Sequence, residues 1–313
     1  MLIKRISRTI FLTACLSLSL PIAAHADDLD VLGQFLEQNY PTQDDPLGAF
    51  LVQNPGAAIE AQAAIAGPLL ASQSALIMNS NTGEILYQKN TNRVMPIASI
   101  SKLMAAMVTL DGKLDMGQTI SITENEIDRL KGTGSRLSIG TSLSRGELLH
   151  LSLMSSENRA THALGRTYPG GMSAFVAAMN RKAQDLGMSN SRFYEPTGLD
   201  FRNVSTASDL GKLVQAASKY SQIRNNSTSN YASVNTSNGR TQNYKNSNAL
   251  VRENTWSIDL QKTGYIREAG RSMVVKANVQ NQPVIIVLLN SPSSLSRVND
   301  ARQIRSWMSQ RSS

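Results

Sequence analysis

The chain has 313 residues, 31 Lys+Arg against 23 Asp+Glu, a formal charge of +8, one cysteine and three histidines. A single cysteine excludes an intramolecular disulfide and thiolate metal clusters. Three histidines, with no HExxH-type run, leave any zinc site dependent on carboxylates.

Lys4, Arg5 and Arg8 precede an apolar run from Ile10 to Leu20, which ends at Ala24-His25-Ala26. This is the layout of a secretory signal, too short for a membrane span. Removing residues 1–26 takes away Cys15 and His25 and leaves 28 basic against 23 acidic residues, or +5. Leu12-Thr13-Ala14-Cys15 also resembles a lipoprotein box that would lipidate Cys15. The apolar run continues past Cys15 to a good Ala-x-Ala site, which favours simple export. Residues 27–71 hold seven acids and no Lys or Arg, punctuated by Pro41, Pro46, Pro55 and Pro68. They read as an acidic, Pro/Ala-rich tether, with a short helix over Leu29, Leu32, Phe35 and Leu36 that can dock a cell-wall enzyme partner.

From residue 72 to 313 the pattern is that of one folded domain, carrying 28 basic and 16 acidic residues, or +12. Ala75–Met78 and Glu84–Gln88 flank a turn-rich Asn79-Ser80-Asn81-Thr82-Gly83 and predict a hairpin. Pro96 opens a helical run from Ile97 to Leu110. Further helices are expected over Gly146–Ala163, Met172–Leu186 and Asp209–Tyr220. The Ser/Asn-dense stretch 222–248 reads as exposed loop or irregular hairpin. Strands follow at Trp256–Thr263, Ser272–Val279 and Val284–Asn290, then a closing helix from Leu295 to about Gln310. Its stripe of Val298, Ala301, Ile304 and Met308 suits packing on a sheet better than anchoring to a membrane surface, despite Arg297, Arg302, Arg305 and Arg311. Strands from both chain ends with helices between them predict an α+β fold with an antiparallel sheet built from N- and C-terminal segments and a helical subdomain.

The helix at Ile97 carries the chemistry. After Lys102 it has no charged residue for two turns and is apolar on every face, which marks it as buried. A lysine there is uncommon unless paired or functional. Ser99, three residues earlier, shares its face. A hydroxyl becomes a nucleophile when a base lies within hydrogen-bond reach, and burial lowers a lysine's pKa enough to make it that base. The bland alternative is a capping serine beside a snorkelling surface lysine. Ser156-Glu157-Asn158 and Lys262-Thr263-Gly264 follow in order. S-x-x-K, S-x-N and K-T-G together are the motif set of penicillin-binding proteins and class A β-lactamases. Alone, the last reads as an ordinary strand end.

The chain thus resembles the active-site serine penicillin-recognising family over roughly residues 72–311. It looks most like the low-molecular-mass D-alanyl-D-alanine peptidases, in the endopeptidase branch of penicillin-binding protein seven type. Pro96-Ile-Ala-Ser-Ile-Ser-Lys102, Glu195-Pro-Thr-Gly-Leu199, Lys262-Thr-Gly-Tyr265 and Glu268-Ala-Gly270 carry the resemblance. It implies a transpeptidase/β-lactamase-like domain with Ser99 as acylated nucleophile and Lys102 as its base. Ser156 would relay protons to the leaving amine, and Asn158 would hold the substrate amide. Lys262 would keep the site positive and Thr263 would bind the substrate carboxylate. Gly264 would leave room for substrate backbone along the strand. The N–H groups of Ser99 and Tyr265 would form the oxyanion hole, and Arg297 resembles a family arginine for the terminal carboxylate. Glu195 has Leu199, not asparagine, four residues on, so it reads as structural rather than deacylating. His162 reads as packed or exposed rather than catalytic.

The resemblance implies an exported, periplasmic serine peptidase acting on the peptide stems of peptidoglycan, with β-lactams as covalent inhibitors, no cofactor, no metal and no nucleic-acid partner. Cleavage of D-alanyl–diaminopimelate cross-links and removal of terminal D-alanine both fit the motifs. Closeness to the endopeptidase branch favours the former, as does a chain stopping after the closing helix without a β-rich domain or anchor. A penicillin-binding sensor that barely turns over is the different-class alternative, disfavoured by the intact Lys102 and Ser156.

Overall fold

The computed structural model describes residues 67–311. The signal, the lipoprotein-like box and the helix read at 29–36 lie outside the described residues. Strands β1 (Ser74–Asn79) and β2 (Ile85–Lys89) form the expected hairpin. Its turn is closed by Asn79 Oδ1, which accepts from the N–H groups of Asn81 and Thr82 at 2.8 and 3.1 Å. Strand β3 (Met95–Pro96) leads into a 3₁₀ turn, Ala98–Ile100, continuous with helix α1 (Ser101–Asp111). Every residue from Ser101 to Thr109 is buried, so α1 is the central helix its uniformly apolar sequence demands.

The chain continues through β4 (Thr119–Ser121), β5 (Ser142–Ser144), α2 (Arg145–Met154), α3 (Asn158–Arg166), α4 (Gly171–Asp185), β6 (Val204–Ser205) and α5 (Ala207–Ala217). Helix α6 (Ser221–Thr228), the hairpin β7 (Tyr231–Asn235) and β8 (Thr241–Lys245), and α7 (Ala249–Glu253) precede the long strands β9 (Ser257–Ile266), β10 (Gly270–Val279) and β11 (Gln282–Ser291). Helix α8 (Ser294–Arg311) closes the described chain.

The main sheet has the order β2-β1-β11-β10-β9 and its neighbouring strands pair antiparallel. The N-terminal hairpin therefore docks on the last strand, with Leu76 opposite Val287. Side chains alternate between two cores, as the two-residue period of a strand requires. Leu76, Val274, Ile285, Val287 and Leu289 face α1 and the helical region. Ala75, Ile77, Met273, Val275, Ile286 and Leu288 face α8, against Val298, Ala301, Ile304, Trp307 and Met308. The closing helix thus packs on the sheet, and Leu70 joins the same core, so packing reaches back past the compositional boundary at Ser72. Asp300 ties this edge down, accepting from the N–H groups of Ala71 and Ser72 at 2.9 and 2.8 Å.

Two sequence expectations need correction. The single helix expected over Gly146–Ala163 is two, α2 and α3, separated at Ser155–Glu157. Ser156 there adopts a left-handed φ of 64°, and Glu157 caps the new helix by accepting from Arg159 N–H. The polar stretch after Gln222 contains α6 as well as the hairpin. Composition hid this helix because tertiary contacts hold it: Ile223 and Ser227 are buried, and Ser227 Oγ accepts from Gln261 N–H on β9.

Candidate active site

Ser99 sits half-buried in the 3₁₀ turn at the head of α1, one turn before Lys102. Its segment is squeezed from two sides. A Cβ on Gly198, at φ +82°, would meet Ala98 O at 1.9 Å, and one on Gly264 would meet Ile97 O and Ser99 N at 3.0 and 3.1 Å. Only glycine permits the approach at 198, and at 264 any Cβ would press on the backbone around the nucleophile, so both glycines bear on where Ser99 lies. The Gly264 Cβ direction points at the Ser99 backbone. This gives the residue a reason different from the one expected, which was room for substrate along the strand. Ala98 itself has φ +47°, a strained value held by Ser101 Oγ, which donates to Ala98 O at 2.9 Å.

Lys102 is fully buried. Its Nζ lies 2.7 Å from Ser99 Oγ, 2.8 Å from Asn158 Oδ1 and 2.6 Å from Thr197 O. Burial lowers its pKa to about 7, against the opposing pull of Glu195 and Glu157. A neutral amine has two N–H bonds and one lone pair. Asn158 Oδ1 and Thr197 O can take only hydrogens, so the remaining direction, toward Ser99 Oγ, is the one along which the lone pair accepts the serine proton.

The carbonyl of Thr197 is presented by a loop organised around Glu195. That carboxylate accepts from Thr197 N–H at 2.6 Å, Thr197 Oγ1 at 2.5 Å and Gly198 N–H at 2.5 Å. Asn203, also buried, donates to Glu195 O at 2.7 Å and to Ser101 Oγ at 3.0 Å, locking the loop to α1. Glu195 is saturated by its own loop. His162 is engaged by Glu126, with Nδ1 3.2 Å from Glu126 Oε1.

The opposite wall comes from the α2–α3 break. Ser156 Oγ accepts from Lys262 Nζ at 2.8 Å, and the same amine donates to Thr263 O at 2.9 Å. Lys262 is buried without an acidic partner among the described residues. Burial, then Lys102, then Arg297 push its pKa well down. The positive charge expected of Lys262 is thus costly without a counter-charge, which a substrate carboxylate would supply. Asn158 spends its carbonyl on Lys102 and turns its amide toward Thr133 Oγ1 at 3.3 Å.

Strand β9 is the edge of the sheet. Gln261 N–H points off that edge to Ser227, and the two-residue alternation carries Thr263 and Tyr265 N–H to the same side. Thr263 Oγ1 donates to Ser247 Oγ at 2.8 Å, a serine that the motifs did not reveal. Tyr265 is exposed, with the Arg271 guanidinium 3.4 Å above its ring centre. Arg297 reaches the level of Gly264 from α8: its Nη1 donates 2.9 Å to Ser272 O, and Ser272 pairs with Gly264. It is 6% exposed, its Nε has no hydrogen-bond partner, and burial and Arg271 lower its pKa to about 10. All nine residues picked from the sequence are therefore gathered around the Ser99–β9 junction. Among the described residues no group of three His, Cys, Asp or Glu side chains is placed to hold a metal.

Sequence reasoning gave no role to Thr197 and Gly198, which it met only as part of the Glu195–Leu199 stretch, and missed Asn203, Ser247 and Thr133. Thr197 acts through its backbone carbonyl and Gly198 through an absent side chain, so residue type gives no signal for either.

Residues 60–293 match the sequence pattern of the S11 peptidases, described as D-alanyl-D-alanine carboxypeptidase. The chain is 44% identical over 240 residues to a D-alanyl-D-alanine endopeptidase of Pseudomonas aeruginosa, covering 76% of this chain and 77% of that protein. It is 42% identical over 242 residues to a D-alanyl-D-alanine endopeptidase of Escherichia coli, covering 77% and 78%. Its fold matches the crystal structure of the Streptomyces K15 DD-transpeptidase with a TM-score of 0.71 at 27% identity, over 77% of this chain and 97% of that one.

Proposed function

Since the chain belongs to the S11 family of serine D-alanyl-D-alanine peptidases, we propose that it is a DD-endopeptidase cleaving D-alanyl–diaminopimelate cross-links of peptidoglycan through an acyl-enzyme on Ser99. One observation carries the assignment: a buried amine of pKa about 7 with its free direction 2.7 Å from a half-exposed serine hydroxyl.

In this reading Lys102 removes the Ser99 proton as Oγ attacks the D-alanyl carbonyl carbon. The oxyanion forms beside the N–H groups of Ser99 and Tyr265, near the positive end of α1. The proton that Lys102 took passes through Ser156 to the leaving amine, which departs neutral and leaves Lys102 neutral again. The carboxylate beside that amine lies at Thr263 and Arg297 and compensates the charge on Lys262, while burial holds Lys102 neutral. Water, deprotonated by Lys102, then hydrolyses the ester and returns the proton to Ser99. Removal of a terminal D-alanine uses the same groups; the endopeptidase names of the 42–44% identical relatives favour the cross-link. β-Lactams acylate Ser99 by the same route. No described helix is long and apolar enough to cross a membrane. The basic–apolar–Ala-x-Ala start supports export to the periplasm with removal of residues 1–26. The acidic stretch from residue 27 up to the packed Leu70 then serves as a tether through which cell-wall enzyme partners are met.

Fluorescent penicillin labels the wild type and not Ser99→Ala; equal labelling sinks the nucleophile assignment. Digestion of purified sacculi followed by muropeptide separation decides the mode. Loss of dimers with pentapeptide retained supports the endopeptidase, and the reverse refutes it.

A further inference from the structure

The loop between Ile127 and Ser135 closes a circuit above the nucleophile. Thr133 Oγ1 accepts from Asn158, and Ser135 Oγ donates to Glu157 Oε1 at 2.6 Å, so one end of the loop is fixed to the α2–α3 break. Asp128 folds the loop on itself, accepting from the N–H groups of Leu130, Lys131 and Thr133. Lys131, at the tip of this fold, donates 2.5 Å to Glu268 Oε1. Glu268 lies in the turn joining β9 to β10, three residues past Tyr265, where Ile266 and Ala269 pack on Ala98 beside the nucleophile. The Lys131–Glu268 pair thus links the Asn158–Thr133 wall to the β9–β10 turn that packs on Ala98, on the side of the cleft away from the Ala98–Ser99 peptide.

The place of this strap along the strand defines what it meets. With the leaving-group carboxylate at Thr263 and the scissile carbonyl beside Tyr265 N–H, the acyl part of the substrate continues past Tyr265 toward Glu268. The side chains of Lys131 and Glu268 are 27% and 37% exposed, so water already reaches both and a ligand can displace the pair. A neutral branch would break the ion pair and leave two charges unmatched. A branch ending in one carbon that bears both an ammonium and a carboxylate offers a partner to each. We infer that Lys131 and Glu268 form a specificity strap at the acyl end of the cleft, selecting donor branches with a zwitterionic α-amino-acid end. The inference rests on the D-alanyl peptidase reading of the site. It assigns to two residues outside the S-x-x-K, S-x-N and K-T-G motifs the recognition of the free end of the diaminopimelate that precedes the scissile D-alanine.

The test compares two synthetic D-alanyl peptides, one with a free amino-carboxylate on the donor branch and one with that end N-acetylated and amidated. Wild type, Lys131→Met and Glu268→Gln are each assayed for kcat/KM, with the rate of acylation by a fluorescent penicillin followed in parallel. Wild type prefers the zwitterionic peptide, and each variant loses about 5- to 10-fold on that peptide alone, the scale of one partly exposed charged contact. Penicillin acylation stays within about twofold, because that ligand does not carry the branch. Equal losses on both peptides, slowed penicillin acylation in the variants, or unchanged selectivity overturns the strap. A wild type that neither takes penicillin nor cleaves either peptide overturns the peptidase reading instead.

Discussion

Replacing Lys102 with methionine is expected to abolish acylation and to stabilise the fold. The amine is fully buried, and its pKa falls from 10.5 to about 7 on folding. At about 1.4 kcal/mol per unit, holding this group in the native state costs roughly 4 kcal/mol at neutral pH. Methionine has nearly the same length and no charge, and it sits on a helix whose other buried faces are already apolar. The substitution forfeits three hydrogen bonds, each contributing about 1 kcal/mol, although Ser99 and Asn158 remain within reach of water. A net gain of about 1–3 kcal/mol remains, or roughly 3–10 °C in Tm for a domain of this size. The pH dependence is more diagnostic. Between pH 7 and 10.5 the unfolded lysine carries a proton that the native one lacks, so wild-type stability rises with pH across that window. The destabilisation is complete below the folded value and gone above the unfolded one. The Tm advantage of Lys102→Met should therefore be largest at or below pH 7 and shrink toward pH 10. Thermal unfolding of both proteins at four or five pH values measures it. A variant less stable than wild type at pH 7, or an advantage that does not change with pH, would refute the assignment of a neutralised, costly amine.

The same group sets the rate profile: acylation by a fluorescent penicillin should rise with pH through a midpoint near 7, since only the neutral amine accepts the serine proton. Glu195→Gln removes a charge that favours the ammonium, so that midpoint moves to lower pH while the loop loses about 1–3 kcal/mol of stability; an upward move contradicts the stated cause. Gly198→Ala forces a methyl group onto Ala98 O at φ +82°, so acylation should fall by at least tenfold and urea unfolding should show a loss above about 2 kcal/mol. At Ser156 both Gly and Ala remove the proton relay, but only Gly fits φ 64°. The glycine variant should therefore be the more stable by about 1 kcal/mol in the same urea titration, the reverse of the order in a helix.

Long, regular elements were legible because their patterns answer to one core at a time. The central helix showed itself as apolar on every face, and β11 showed itself as an unbroken run, Val284–Leu289, buried on both sides. Ser99 and Lys102 were legible for the same reason, since a lysine inside such a helix violates the pattern. The contacts that hold the motif residues in place escaped because their signals are not local. Thr197 contributes a main-chain oxygen 95 residues from the amine that it meets. Lys131 and Glu268 are 137 residues apart, and each alone is an ordinary surface charge. Helix α6 escaped for a related reason: its Ser- and Asn-rich sequence favours turns, and its helical state depends on packing against β9 and on Ser227 meeting Gln261.

The failure at residues 146–163 has a geometric cause that ties the fold to the chemistry. In an uninterrupted helix, residues two apart point about 200° away from each other. Ser156 and Asn158 would then face opposite sides, yet one must meet Lys262 on β9 and the other Lys102 on α1. A helix that obeyed its own periodicity could not line the cleft with both. The left-handed turn at Ser156 resolves the conflict. It ends α2 at Met154, lets Glu157 start α3, and leaves Ser156 and Asn158 on either side of a corner that opens on the nucleophile. The apolar and helix-favouring residues on each side carry no record of this corner. A helix expected to run through and a serine forced to φ 64° are therefore the same fact, seen first from local preference and then from the site that overrides it.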